Sequence, residues 1–234
     1  MEPIIEGFRK AFFLIFHLNA DLVSIISLSL RVSVIALLIA TITGLSLGTV
    51  ISLKRFPLRG ILISIMNTLM GLPPVVVGLF VYLMLSRSGP LGFMGLLYSP
   101  SAMVIAQTIL AFPIIVSLSH SAIISVDLII KQSAFTLGAT PFQMATLIIR
   151  EARYGIMSSI ITAFGRVMAE VGAVLIVGGN IAGYTRVMTT TIALETDKGN
   201  FELAIALGII LLTLSFIINI ILHFIQKKGS QSKL

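Results

Sequence analysis

Two opposite charges, Arg166 and Glu170, stand four residues apart in a run that is otherwise uncharged from Gly155 to Val177. On insertion scales each charge costs roughly 2.5 to 3.5 kcal/mol at mid-membrane, so both should turn toward a protein interior, where four-residue helical spacing lets them pair. One reading is a static pair that locks this segment into its neighbours. In the other, Arg166 lends positive potential to an anion path, and Glu170 keeps that attraction weak enough for release. Beyond Asn180, Tyr184, Thr185, Arg186 and the run Thr189-Thr190-Thr191 supply hydroxyls and a guanidinium. These are good donors to an oxyanion, which makes Thr185, Arg186 and Thr189 candidates for an outer receiving site, although a water-exposed loop would contain such residues anyway.

Other chemistry finds no support. His17, His120 and His223 are isolated, without a second ligand at helical spacing, so no metal site is expected. No phosphate-cradling GxxxxGK[ST] loop and no Gly-x-Ser-x-Gly elbow occurs. The chain itself should therefore not hydrolyse nucleotide, and its energy must come from a partner. No basic, aromatic-interleaved nucleic-acid surface is present.

The elements that must position these residues are membrane spans. Hydrophobic residues make up 57% of the chain and charged residues 11%, far too little polar surface for a soluble domain of this length. Residues 1–20 carry Ile4, Phe8, Phe12 and Phe16 at four-residue intervals, an apolar stripe for an interfacial helix that is too short to cross. Between Arg31 and Lys54 lie 22 uncharged residues, about 33 Å of helix, which predicts the first span. A second follows from Gly60 to Ser86, interrupted by Gly71-Leu72-Pro73-Pro74, where two prolines free backbone carbonyls that neighbours must satisfy. Gly89, Pro90, Gly92, Gly95 and Pro100 mark an outer loop before a third span at 101–123. The fourth is expected at 155–177, ended by Gly178-Gly179-Asn180, and the fifth at 201–226. Gly165, Ala169, Gly172 and Ala173 on the fourth permit close helix approach, most simply against a second copy.

Between the third and fourth spans lies a polar helix pair. A helix running to Leu137 meets Gly138, suited to a left-handed cap. Thr140 then starts a new helix with Pro141 at its first position, and Thr140 with Gln143 fits a capping box. Nine basic residues (Lys54, Arg55, Arg59, Lys131, Arg150, Arg153, Lys227, Lys228, Lys233) fall on the side of this pair against five (Arg9, Lys10, Arg87, Arg186, Lys198) on the other. That asymmetry puts the pair and the C-terminus in the cytoplasm and, with five spans, the N-terminus outside.

The pair resembles the cytoplasmic loop of the membrane-spanning permease subunits of ABC importers, whose motif reads Glu-Ala-Ala, three residues, Gly, nine residues, Ile-x-Leu-Pro. Here Gln132, Ser133 and Ala134 take the first places, Gly138 follows at the right distance, and Ile148 comes nine residues later, with Arg150-Glu151 in place of Leu-Pro. AFGRVMAEVGAVLIVGGN is similar to the molybdate and tungstate branch, and GNIAGYTRVMTTTIALETDKGNFELAIALGI looks most like tungstate permeases. The resemblance covers residues 24–226. It implies an all-α membrane protein of the type I importer permease fold, with an N-terminal interfacial segment (1–20), a permease domain (21–226) holding the coupling region (125–153), and a cytoplasmic tail (227–234). By the same resemblance Gln132, Ser133, Ala134, Gly138, Ala139, Thr140, Pro141 and Gln143 couple to an ATPase, and Pro73 and Pro74 lie near the translocation path, the alternative being a mere kink; Arg166 and Glu170, by their charge, and Gly172, by its size, join them as path or gate candidates. It further implies a second copy, two ATPase subunits that hold the ATP and magnesium, and an extracytoplasmic oxyanion-binding protein, all at a prokaryotic cytoplasmic membrane. The cargo expected is tungstate first and molybdate second, moved by alternating access. An ion-coupled secondary transporter or channel is the rival from another class, and a membrane scaffold the third.

Overall fold

The computed structural model describes residues 20–54 and 56–230, together with Glu6, Arg9 and Phe13. The expected interfacial helix at 1–20 thus falls almost wholly outside the described residues, as does the tail beyond residue 230. Nine α-helices follow one another in the described chain: α1 (Ala20–Leu53), α2 (Arg59–Leu69), α3 (Pro74–Leu85), α4 (Pro100–Ile124), α5 (Leu128–Thr136), α6 (Pro141–Met168), α7 (Gly172–Gly178), α8 (Met188–Asp197) and α9 (Phe201–Ser230).

Three of these are long and apolar enough to cross a membrane alone: α1, α4 and, over Phe201–Leu222, α9. Two bent pairs, α2 with α3 and α6 with α7, bring the total to five if each pair is one span. The expected architecture is thus present, with two changes. The first helix begins at Ala20, eleven residues before the expected boundary at Arg31, because a single guanidinium near a helix end can reach the interface without ending the helix. The fourth span, expected as one helix over 155–177, is instead α6 and α7 bent by 58° at Ala169–Val171.

Helix α4 forms the middle of the fold. It packs against α1, α2, α3, α6 and α7, and 61% of its apolar stretch is buried, against 28% for α1 and 17% for α9. Lipid chains are as apolar as Leu, so helices here associate by close packing rather than by escape from water. Ala36, Ala40, Gly44 and Gly48 recur every four residues along α1 and are all buried. At Gly48 a β-carbon would press on the Ser119 hydroxyl and come within 3.1 Å of the Val116 carbonyl, so only Gly lets the two backbones approach this far. Pro100 sits in the first turn of α4 behind Ser99, whose hydroxyl accepts from the Ala102 N–H, as a proline at a helix start should.

Candidate functional site

The polar helix pair folds as its residues dictate. The Asp127 carboxylate accepts from the Ile129 N–H at 2.9 Å and starts α5. At the other end Gly138 takes φ +76°, its N–H donating to the Phe135 carbonyl and that of Ala139 to the Ala134 carbonyl, both at 3.0 Å. The chain turns in two residues and re-enters a helix at Thr140. There the Gln143 side chain accepts from the Thr140 N–H at 2.8 Å while the Thr140 hydroxyl accepts from the Gln143 N–H at 3.3 Å. Of the coupling candidates, Gln132, Ser133, Gly138, Thr140, Pro141 and Gln143 are exposed, Ala139 is half-exposed, and Ala134 is buried against the pair. Three residues outside that set dominate the surface around the turn: Phe135, Leu137 and Phe142 are 76%, 86% and 80% exposed. Such large apolar groups beside a polar turn mark a contact surface. The signal for them was in the sequence, three large apolar residues bracketing a glycine turn.

The second part of the site lies where the two bent spans meet. Helices α2 and α3 turn by 104° at the Gly71-Leu72-Pro73-Pro74 break. Pro73 and Pro74 carry no N–H, and the N–H groups of Val76 and Val77 both go to the Pro73 carbonyl, so the helix ladder leaves the Leu72 carbonyl without a backbone partner. Arg166, half-buried at the end of α6, donates to that carbonyl at 3.0 Å. The break in one span is therefore satisfied from the break in the other.

Glu170 has a different task from the one expected. The helix ends before it, so the four-residue spacing no longer stacks its carboxylate on Arg166, and no ion pair joins the two. Arg166 stays within electrostatic reach. Glu170 is buried, its Oε1 accepts from the Ala173 N–H at 2.8 Å, and its backbone carbonyl accepts from the Thr189 hydroxyl at 2.8 Å. It caps the restart of the span at α7 and ties the hinge to α8. Close packing holds the same place: a β-carbon on Gly172 would meet Val75 at 2.9 Å, and one on Gly78 would meet the Ala173 backbone at 2.7 Å. Half of the small-residue stripe expected to face a second copy, Gly172 and Ala173, thus packs on α3 of its own chain. Gly165 and Ala169 remain exposed.

The expected water-exposed loop after Asn180 is largely folded. Thr185 is fully buried; its hydroxyl donates to the Gly178 carbonyl and accepts from the Ile181 N–H at 2.9 Å, closing the turn after α7. Thr189 is spent on Glu170, and Thr190 accepts from the Val187 N–H at 3.1 Å at the start of α8. The Ser29 hydroxyl of α1 accepts from the Met188 N–H at 2.8 Å and anchors the same turn. Arg186 donates to the Asn180 carbonyl at 3.3 Å, and its Nε is buried without a partner. Arg186, unlike the two threonines, keeps an unspent donor.

Bent spans satisfied across their breaks, around a central helix and joined to a capped polar pair with an exposed apolar tip, define a polytopic all-helical membrane protein with a contact surface at one end. The chain belongs to the family of binding-protein-dependent transport system inner membrane components, whose family description matches residues 36–230. It is 43% identical to the tungstate uptake system permease protein TupB of Peptoclostridium acidaminophilum, over 97% of this chain and all of that one. It is 47% identical to a probable anion ABC transporter permease of Haloferax volcanii, over 85% of this chain and 88% of the other. The molybdenum transport system permease ModB of Escherichia coli is 32% identical over 68% of this chain and 73% of its own. In fold, the chain matches a bacterial ABC transporter crystallised in complex with an alginate pentasaccharide-bound periplasmic protein, with TM-score 0.77 and 19% identity, over 97% of this chain and 88% of that one.

Proposed function

We propose that this chain is the membrane subunit of an ATP-driven importer for a tetrahedral oxyanion, tungstate first and molybdate second. The named tungstate relative aligns over 97% of this chain, whereas the named molybdenum relative aligns over 68% of it, which favours tungstate. Two copies form the path, two cytoplasmic ATPase subunits hold the ATP and magnesium, and an extracytoplasmic binding protein delivers the anion. The coupling pair and the C-terminus face the cytoplasm, in line with the excess of basic residues on that side.

One observation carries the mechanism. Helix α6 is continuous from Pro141 to Met168, 28 residues, so a rod of about 42 Å has the coupling turn at one end and Arg166 at the other. Motion of an ATPase subunit seated on Phe135, Leu137 and Phe142 reaches the crossing of the two breaks without an intervening joint. Two arrangements of that crossing, each with different contacts, are what alternating access requires. At the crossing Arg166 supplies positive potential, and the turn holding Arg186 receives the anion outside.

The test is co-purification with an ATPase encoded beside this chain, followed by ATP hydrolysis with empty, tungstate-loaded and molybdate-loaded binding protein. A stable complex stimulated most by the tungstate-loaded form supports the proposal. No complex, with anion flux in vesicles containing this chain alone, would replace it with a secondary transporter.

A further inference from the structure

A cavity of about 980 Å³ opens between the end of α1, the start of α2 and the coupling pair. Its lining divides in two. Arg59, Lys131, Ser52, Gln132 and Thr136 make a cationic and hydrogen-bonding side, and Leu53, Phe135, Met144 and Ile148 make an apolar one. No carboxylate lines it. Arg59 is underused: one terminal nitrogen reaches the Ser52 carbonyl at only 3.5 Å, and its Nε is buried without a partner. A guanidinium held by one long hydrogen bond has donors to spare for a group that brings acceptors. Guanidinium forks match phosphate oxygens bidentately, and the neighbouring Lys131 adds a second charge.

We propose that this groove holds one acidic phospholipid of the leaflet on the coupling-pair side, its phosphate between Arg59 and Lys131 and its upper acyl chain against Leu53, Met144 and Ile148. Size decides between a lipid and a free oxyanion. Pockets of about 300 to 1,000 Å³ enclose whole drug-sized molecules, so a lone tetrahedral ion would leave this one almost empty and its apolar wall uncovered. Basic pockets between membrane helices on the cytoplasmic side are suited to acidic head groups. The leaflet assignment rests on the orientation proposed above; the site itself does not. A lipid here touches α1, α2, α5 and α6 together and so braces the coupling pair against the membrane domain. The anionic content of the membrane then bears on how firmly the pair is held.

The full-length chain in neutral detergent micelles, without any ATPase, tests the site apart from the transport reading. Its melting temperature is followed with added dioleoyl phosphatidylglycerol, with phosphatidylcholine, and with sodium tungstate or inorganic phosphate, and retained lipid is counted by native mass spectrometry. Phosphatidylglycerol should raise the melting temperature and one molecule per chain should be retained, with association roughly 30-fold weaker in Arg59→Gln/Lys131→Gln. Should the double variant fold poorly, Lys131→Gln alone should weaken association roughly fivefold. A shift equal for tungstate or phosphate, a shift equal for phosphatidylcholine, or retention unchanged in these variants would overturn the proposal. Lipid retention as expected, together with no ATPase complex and anion flux in vesicles containing this chain alone, would instead strike the importer reading and leave the lipid site standing.

Discussion

Arg166 donates to the Leu72 carbonyl across 3.0 Å, joining the last turn of one broken span to the open backbone of another. The charge and the prolines are nearly a hundred residues apart in the chain and meet at one bond. A guanidinium suits this place because it has donors left over after one carbonyl is satisfied.

Arg166→Met keeps an unbranched, flexible side chain, shorter by two atoms, and removes every donor. A carbonyl left unpaired in these surroundings costs about 1 to 3 kcal/mol, so the purified protein should melt at lower temperature and anion uptake should fall. Arg166→Gln separates the two tasks by retaining a donor without the charge. Recovery of melting without recovery of uptake assigns the charge to the anion path; recovery of both leaves only the structural link.

Gly78→Val places a side chain where a β-carbon already lies 2.7 Å from the Ala173 Cα, and backbone on both sides must shift. Overpacking of this kind costs about 1 to 3 kcal/mol and should pry α3 from α7, lowering both melting temperature and uptake. Gly165→Ala is the control, since nothing lies within 4 Å of its β-carbon position. Melting of a single chain should not fall there, since Ala is the better helix former; a loss of uptake confined to the assembled dimer would show that a second copy packs on that face.

What was legible in the sequence was what is local. Gly138, Thr140, Pro141 and Gln143 specify a turn and a cap within six residues, and the structure forms both. Pro73 and Pro74 announce their own break, and the helical pattern finds α4 within a residue or two. The break at Ala169–Val171 was hidden because it contains no proline. Its local signal is a carboxylate three residues ahead of the Ala173 N–H that it caps, which reads equally well as an ion-pair partner inside a helix. The fates of Thr185 and Thr189 were beyond reach, since hydroxyls look alike in sequence whether they face water or close a buried turn. Their partners, Gly178 and Glu170, are set by the fold.

Protonation should loosen the far side of the protein. The Glu195 carboxylate accepts from Lys198 at 2.8 Å and from Asn200 at 2.9 Å. The bond from Lys198, then that from Asn200 and the charges of Lys198 and Arg186, hold it below its ordinary value of 4.5 against the opposing effect of burial. A depressed carboxylate contributes stability that is complete above its unfolded value and is lost as pH falls toward its folded one. Melting temperature should therefore drop as pH is lowered below about 4.5, and Glu195→Gln should lower stability at neutral pH and flatten the acid limb assigned to this group. An unchanged acid limb in that variant would remove Glu195 from the account.

Gly138→Val tests the turn at which the drive is proposed to enter. The residue sits at φ +76° with nothing within 4 Å of its β-carbon position, so the substitution meets no clash and acts through the backbone alone. The left-handed conformation costs an ordinary residue about 1 to 2 kcal/mol, and a β-branched one is the poorest fit. That strain is small against the stability of the membrane domain but falls wholly on the joint between α5 and α6, which carries the exposed Phe135, Leu137 and Phe142. The assembled transporter should still hydrolyse ATP while uptake per ATP falls, and Gly138→Asn, which tolerates positive φ, should lie between the variant and the natural chain. Uptake fully coupled in Gly138→Val would mean that the geometry of this turn does not transmit the ATPase stroke, and the point of entry would have to be sought elsewhere on the cytoplasmic face.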